Sequence, residues 1–161
     1  MGPDDFAYHL PDPAIAQVPL ADRSSARLLD ALAEPVAHRT VGDLPSLVGP
    51  GDVLVVNDTR VLPARLRAAR PTGGVAEVLL LRAVDDEGTW EALVRPSRKL
   101  PVGSTLTVDS GLSVEVADDL GEGRRYVRLF SDGPLADALD RCGEMPLPPY
   151  LTTTLDDPER Y

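Results

Sequence analysis

Residues 49–70 read GPGDVLVVNDTRVLPARLRAAR, and two different strand patterns meet in this stretch. After the Pro50-Gly51 turn signal, residues 52–56 form a short apolar run without alternation. Such a run predicts a strand covered on both faces, as in an α/β sheet. Residues 61–69 instead alternate arginine with apolar side chains, which is typical of a strand with one buried face.

Four polar residues follow the first predicted strand, namely Asn57, Asp58, Thr59 and Arg60. Ligands of α/β sheets bind at the carboxyl ends of strands. An amide, a carboxylate, a hydroxyl and a guanidinium together can hold a sugar, a phosphate or a carboxylate. Asn and Asp are also common turn residues, and four such residues taken alone are more often a plain polar turn than a binding site.

The composition bounds the class of protein. A chain of 161 residues forms one domain or two small ones, and 43% hydrophobic residues suffice for a core. Sixteen prolines and thirteen glycines favour short elements over long helices. The single cysteine excludes an internal disulfide. No signal peptide or membrane span is recognisable, so we expect a cytoplasmic protein without a membrane partner.

The charge is unevenly distributed. A net charge of −10 argues against nucleic-acid binding by the chain as a whole. Residues 60–99, however, hold eight basic and five acidic side chains, a balance of +3, which leaves −13 for the remainder. A local basic face on an acidic body can bind an anion, although ordinary surface arginines on strands would give the same count.

Further strands follow at spacings of eight to twelve residues, divided by turn signals. They are predicted at 75–83, 89–94, 105–108, 112–117 and 126–130. With residues 61–69, this pattern predicts a small six-stranded antiparallel β-barrel. Beside the barrel we expect a hairpin of residues 26–32 and 37–41, a helix at 40–48 and a helix at 134–141 ending before a left-handed Gly143.

No motif points to a metal or a phosphate-binding loop. The chain has no P-loop, no GxGxxG and no zinc-ligand spacing, and Cys142 has no second cysteine to pair with. A Ser-His-Asp arrangement is not recognisable either. The sequence therefore predicts no metal site.

Four segments together resemble one family. They are DFAYHLPDPAIAQVPLADRSSARLL (5–29), PGDVLVVNDTRVLPARL (50–66), WEALVRPSRKLPVG (90–103) and GEMPLPPYL (143–151). In order and spacing they resemble the N-terminal part of the S-adenosylmethionine:tRNA ribosyltransferase-isomerases of queuosine biosynthesis. Each motif alone is weak, but four in register over nearly the whole chain are specific.

The resemblance implies an activity. The family transfers the ribosyl part of S-adenosylmethionine to the 7-aminomethyl-7-deazaguanine base in the tRNA anticodon and rearranges it, giving epoxyqueuosine-tRNA with release of adenine and methionine. S-adenosylmethionine is then a co-substrate, and no metal or organic cofactor is expected. The implied partners are S-adenosylmethionine and the tRNA carrying the pre-queuosine base, and the implied full-length enzyme is a monomer.

The resemblance also implies a mixed α+β fold. Residues 1–63 would be the N-terminal segment of a discontinuous α/β domain, residues 64–133 an inserted β-barrel domain, and residues 134–161 a helix and Pro-rich return toward the α/β domain. Because the family chain is about twice as long, we expect this chain to be a fragment that is inactive alone.

The resemblance and the residue chemistry together nominate site residues. Asn57, Asp58, Thr59 and Arg60 are expected to line the active-site cleft. Asp58 and Arg60 are the catalytic candidates: Asp58 holds the ribose hydroxyls or serves as the base, and Arg60 pairs with a carboxylate or phosphate. The resemblance leaves the general acid and base open, since the family's second half carries further candidates. The other expected substrate-binding residues are Arg23, Arg95, Ser97, Arg98, Lys99 and Tyr150.

Within this set, the segment Arg95 to Lys99 is expected to be a basic loop that faces the tRNA or the co-substrate, and Tyr150 to close the Pro-rich hinge. Two other interpretations stay open. One is a non-catalytic β-barrel module that binds RNA or a protein. The other is a scaffold whose ligand contacts are completed by residues outside this chain.

Overall fold

The computed structural model describes residues 2–153, and the chain divides into two compact units. Among the described residues, the first unit comprises 2–59 and 148–153, and the second comprises 60–147. None of the described helices has the length and hydrophobicity to cross a membrane. The predicted three-part division at residues 63 and 133 stays a prediction, and the end of its last part, residues 154–161, lies outside the described residues.

Six strands of the second unit close into a barrel in which every neighbouring pair is antiparallel. They are β3 (Arg65–Ala69), β4 (Val75–Ala83), β5 (Thr89–Arg95), β6 (Thr105–Asp109), β7 (Leu112–Gly121) and β8 (Arg124–Ser131), numbered after two strands of the first unit. The order around the barrel is β3-β4-β5-β8-β7-β6. The predicted six-stranded antiparallel barrel and the mixed α+β class are confirmed.

The barrel interior is filled by the apolar half of each alternating strand. Leu66, Val78, Val94, Leu106 and Val127 are all fully buried. Because the chain has few aromatic residues, this core consists of leucine, valine and alanine. Burying each such leucine or valine stabilises the fold by about 1.5–3 kcal/mol.

Two strands are longer than their hydrophobic patterns predict. β7 continues from residue 117 to Gly121, and β8 begins at Arg124 rather than at residue 126. Polar residues pair in this extension through two register shifts. The two-residue loop at Glu122 and Gly123 has positive φ at both positions, 51° and 84°, which suits the twist of a tight hairpin.

The helix α1 (Leu135–Cys142) follows the barrel and buries Ala138 and Leu139 against it. Gly143 is not the left-handed residue that we predicted, because its φ is −81°. It is required for another reason: a Cβ there would lie 1.9 Å from the Pro63 carbonyl oxygen and 2.6 Å from that of Leu139. Close backbone approach, not positive φ, explains this glycine.

The first unit contains one two-stranded sheet, formed by β1 (Arg27–Asp30) and β2 (Ala37–Thr40) in the predicted hairpin. The helix predicted at residues 40–48 is instead a 3-10 turn, Val41–Ser46. Asp43, at the third position of this turn, accepts hydrogen bonds from the Thr40 N–H at 2.8 Å and the Thr40 hydroxyl at 3.0 Å. Pro45 within the segment disfavours a regular α-helix.

Residues 52–56 contradict the prediction of a doubly covered strand. They form no strand, and both Val53 and Val55 are 86% exposed. A strand needs a neighbour for its N–H and C=O groups. Within the described part of the first unit, the only strands pair with each other as β1 and β2. An apolar run without a pairing partner therefore stays extended and exposed.

Candidate functional site

The predicted polar tetrad begins as a hydrogen-bonded turn. The Asn57 side-chain oxygen accepts hydrogen bonds from the Thr59 N–H at 3.0 Å and from the Thr59 hydroxyl at 2.6 Å. Asn57, Asp58 and Thr59 are exposed and belong to the first unit. The bonds orient the Asn57 and Thr59 side chains toward each other and leave the Asp58 carboxylate at the surface between them.

Arg60, the fourth residue of the tetrad, belongs to the second unit. Its Nη1 lies 3.6 Å from the Asp140 carboxylate of α1. Both side chains are largely exposed, so this ion pair is worth well under about 1 kcal/mol. Asp140 therefore holds the Arg60 guanidinium only weakly.

Arg23 and Tyr150 are both in the first unit. Arg23 begins a 3-10 turn, Arg23–Ser25, for which the Asp22 side chain caps the Ser24 N–H at 2.9 Å. The Tyr150 ring is exposed, and its carbonyl accepts a hydrogen bond from the Gln17 side chain at 3.0 Å. Gln17 also accepts from the Thr152 N–H at 2.9 Å, so one side chain holds the Pro-rich segment around Tyr150.

The predicted basic loop is a compact turn at the end of β5. The residues Ser97–Lys99 form a 3-10 turn, with the Leu100 N–H bonded to the Ser97 carbonyl at 3.1 Å. Leu100 is fully buried and anchors the turn in the barrel core. Because the turn is anchored at Leu100, the side chains of Arg98 and Lys99 point out of the core and are exposed.

Two cavities adjoin this turn. Arg95, Ser97 and Arg98 line both, whereas Lys99 lines only the larger one, of about 720 Å³. The smaller cavity, of about 480 Å³, lies between the turn and the β7–β8 hairpin, and we call it the hairpin cavity. Its size is within the range of about 300–1,000 Å³ that is typical of small-molecule sites. Its lining residues are Leu93, Val94, Arg95, Ser97, Arg98, Asp119, Gly121, Glu122, Gly123 and Arg125.

Sequence reasoning missed the far wall of the hairpin cavity. Arg125 is only 7% exposed, and its guanidinium bonds the Asp119 carboxylate, the Arg124 carbonyl at 2.8 Å and the Ser97 carbonyl at 3.4 Å. The sequence feature that could have indicated Arg125 was the Arg124-Arg125 pair after a Gly-Glu-Gly turn. Alternation alone did not show which arginine would point inward.

Arg124, the other member of the pair, enters a separate charge cluster. Its Nε lies 2.8 Å from the buried Glu91 carboxylate, which also accepts from Arg82 at 3.1 Å. These hydrogen bonds, Arg124 first and Arg82 second, hold the pKa of Glu91 below its ordinary value. Glu91 thus stays ionised and serves as an anchor between strands β4, β5 and β8.

The described residues bring together one part of the predicted site. Ser97, Arg98 and Lys99 share one turn, Arg95 ends the strand that precedes it, and Asn57 and Thr59 share another turn. Among residues 2–153, no three His, Cys, Asp or Glu side chains are grouped so that they could hold a metal ion. The chemistry available at the hairpin cavity is therefore anion binding by guanidinium groups.

Comparison with known proteins identifies one family. The family model described as "Queuosine biosynthesis protein" matches residues 3–161. An S-adenosylmethionine:tRNA ribosyltransferase-isomerase of Clostridioides difficile is 44% identical over 98% of this chain and 47% of its own length. One of Rubrobacter xylanophilus is 45% identical over 100% of this chain and 47% of its own length.

A solved structure is also similar to the chain. It is an S-adenosylmethionine tRNA ribosyltransferase from Thermotoga maritima, 34% identical over 78% of this chain and 44% of that one, with a TM-score of 0.38. The chain spans about half the length of the curated relatives it matches.

Proposed function

The chain belongs to the queuosine biosynthesis protein family, and from that membership we propose that it is the N-terminal part of an S-adenosylmethionine:tRNA ribosyltransferase-isomerase. The observation that carries the proposal is identity of 44% and 45% to two enzymes of that name over essentially the whole chain. The second match covers the whole chain, so the matched region includes the tetrad, the basic loop and the Pro-rich segment.

The proposed reaction moves a sugar from a sulfonium to a base. The ribosyl part of S-adenosylmethionine is transferred to the 7-aminomethyl-7-deazaguanine of the tRNA anticodon and isomerised, giving epoxyqueuosine-tRNA, adenine and methionine. The positive sulfur acidifies the neighbouring C–H, so a general base can remove that proton. Adenine leaves more easily when a general acid protonates it.

The tetrad supplies groups that suit the co-substrate. Asp58 is an exposed carboxylate in a turn that is held by Asn57 and Thr59, so it can accept hydrogen bonds from ribose hydroxyls or take the proton. Arg60 forms an exposed ion pair with Asp140 at 3.6 Å, and its guanidinium is of the type that pairs with a carboxylate, such as that of methionine, or with a phosphate. No metal or organic cofactor enters this proposal.

The basic loop suits the RNA. Arg95, Arg98 and Lys99 are exposed and close to one another on the barrel, and the strength of such contacts to phosphates falls as salt rises. The modified base must leave the anticodon stack before it can react. Tyr150 and Arg23 offer an exposed aromatic ring and a guanidinium, on which such a base can stack.

An assay of the full-length protein encoded by the gene that contains this sequence tests the proposal. S-adenosylmethionine and a tRNA carrying 7-aminomethyl-7-deazaguanine at the wobble position should yield epoxyqueuosine among the digested nucleosides and one adenine per turnover. A matched tRNA with guanine at that position is the control and should yield neither. Binding of the modified tRNA without any product would instead favour a non-catalytic barrel module.

The same assay on the 161-residue chain tests whether it is a fragment. We expect no turnover, because the chain spans about half the length of its relatives. Full activity of the short chain would overturn this part of the proposal without affecting the assigned reaction.

A further inference from the structure

We propose that the hairpin cavity binds phosphodiester groups of an RNA strand, with Arg95 and Arg98 as its binding residues and Arg125 as a positioning residue. The inference rests on the proposed function for the identity of the RNA, a tRNA. Three further observations support it: which cations beside the cavity lack a carboxylate partner, which hydrogen bonds hold the loop in place, and which residues line the cavity. All of them lie within residues 60–147.

The cations of the basic loop differ from most others on the barrel. Seven arginines of residues 60–147 have a carboxylate within 4.0 Å: Arg60, Arg65, Arg67, Arg82, Arg124, Arg125 and Arg141. Within the described part of the chain, Arg95, Arg98 and Lys99 have none. Three unpaired cations in five residues create a local positive potential on a chain whose net charge is −10.

Buried hydrogen bonds hold this loop in place beside the hairpin. Arg125 donates to the Ser97 carbonyl at 3.4 Å and to the Asp119 carboxylate, so its guanidinium ties the turn to β7. The Val94 N–H donates to the Gly123 carbonyl at 2.9 Å and fixes the hairpin tip against β5. The exposed guanidiniums therefore start from a preorganised backbone, which lowers the entropy cost of binding.

The hairpin tip approaches the basic loop at Gly123. A Cβ on Gly123 would lie 3.8 Å from the Val94 carbonyl oxygen and 4.0 Å from the Ser97 hydroxyl. Its φ of +84° also disfavours any side chain at that position. The backbone conformation of Gly123, rather than a lack of space, is therefore what favours glycine at the tip.

The charge of the site favours a strand of phosphates over a single carboxylate. The methionine carboxylate of S-adenosylmethionine needs one guanidinium fork, whereas the hairpin cavity presents two guanidiniums without a carboxylate partner among the described residues, those of Arg95 and Arg98. Asp119, the carboxylate that lines the cavity beside Arg125, is already bonded to it. Among the residues that line the cavity, the one other carboxylate is that of Glu122, which is exposed at the hairpin tip and opposes an incoming anion.

The test uses the full-length protein and the modified tRNA, with Arg95→Ala, Arg98→Ala and the double variant. We expect the dissociation constant for tRNA to rise about 10-fold or more in the double variant, and the slope of log affinity against log salt to fall by about two. The Michaelis constant for S-adenosylmethionine should not change. Arg128→Ala is the matched control, since Arg128 is exposed on β8 and does not line the cavity.

A converse variant tests the same electrostatics with the opposite sign. Glu122→Gln removes the opposing charge and should tighten tRNA binding about 2- to 5-fold, as expected for one exposed charge. Glu87→Gln, in the acidic turn after β4, is its control and should leave the affinity unchanged. Because all these side chains are exposed, each variant should keep the wild-type melting temperature. A variant with a lowered melting temperature is replaced by Arg98→Glu in the binding measurements.

Three outcomes separate the two proposals. If the wild-type protein neither binds nor modifies tRNA, the proposed function fails. If it is active but the Arg95 and Arg98 variants match Arg128→Ala in affinity and salt slope, the phosphate site alone is wrong. If the Michaelis constant for S-adenosylmethionine rises while tRNA affinity stays constant, the cavity holds the co-substrate carboxylate, and the phosphate assignment is overturned.

Discussion

The Cys142 thiol donates a hydrogen bond to the Asp109 carboxylate, with 3.0 Å between Sγ and Oδ2. The same carboxylate accepts from the Gly111 N–H at 2.8 Å and from Arg141 Nε at 3.1 Å. One side chain at the end of β6 thus binds the β6–β7 turn and the last turn of α1. This cluster is the polar connection between the barrel and its helix.

Acid should weaken this connection within a defined pH window. The Cys142 thiol, the Gly111 N–H and the Arg141 guanidinium lower the pKa of Asp109 from an ordinary 3.8 to about 2. Because the unfolded chain then binds a proton more readily than the folded one, the stabilisation is complete above pH 3.8 and is lost as the pH falls toward about 2.

Thermal melting of the wild type and Asp109→Asn between pH 5 and 2 checks this expectation. The wild type should melt at the higher temperature at pH 5, and the difference should shrink as the pH falls. A difference that stays constant down to pH 2 would contradict the assignment to Asp109 ionisation.

Cys142 should react slowly with alkylating reagents. Burial first, and then the hydrogen bond and negative charge of Asp109, raise the pKa of its thiol, and the thiolate is the reactive form. Iodoacetamide at pH 8 should therefore modify the native chain several-fold more slowly than the urea-unfolded chain, as followed by intact mass. Asp109→Asn should speed the native reaction, and an unchanged rate would show that burial alone protects the thiol.

Gly143 should tolerate no side chain. Alanine there would place its Cβ against the Pro63 and Leu139 carbonyl oxygens, so the backbone must shift, and Gly143→Ala should cost about 2–3 kcal/mol of unfolding free energy or more. Gly133→Ala is the matched control, since no atom lies within 4 Å of its Cβ position. Urea denaturation of both variants measures the difference, and equal midpoints would be inconsistent with the close approach.

Asp58 is predicted to matter for turnover and not for folding. It is exposed in its turn, so Asp58→Asn in the full-length enzyme should leave the melting temperature unchanged. If it acts as a base, kcat should fall by about 100-fold or more. Asp86→Asn, in the exposed turn after β4, is the control and should leave kcat unaltered. Undiminished turnover of Asp58→Asn would mean that the tetrad is only a turn.

The exposed apolar segment 52–56 should promote self-association of this chain. Val55 is 86% exposed and unpaired in any strand, so Val55→Asp should change the unfolding free energy by no more than about 0.5 kcal/mol. It should also raise the concentration at which the chain associates, as measured by light scattering. A large loss of stability would show that Val55 is buried in solution.

Local sequence patterning was sufficient to predict the barrel. Alternation along residues 61–130, with turn signals at regular spacing, places Leu66, Val78 and Val114 inside because one face of each strand must leave water. Alternation of polar and apolar residues is a local property of one strand, so it can be recognised without knowing which strand pairs with it. The basic loop at residues 95–99 was predictable for the same reason, since its composition and its proline interrupt the pattern.

Features that depend on partners distant in sequence could not be predicted in this way. Residues 52–56 have the composition of a buried strand, yet they stay exposed because no described strand pairs with them. The hairpin cavity likewise exists because Arg125, 28 residues after Ser97, reaches its carbonyl through the pairing of β5 with β8. Hydrogen bonds between strands need a specific register and a specific neighbouring strand, and neither can be predicted from the local sequence pattern.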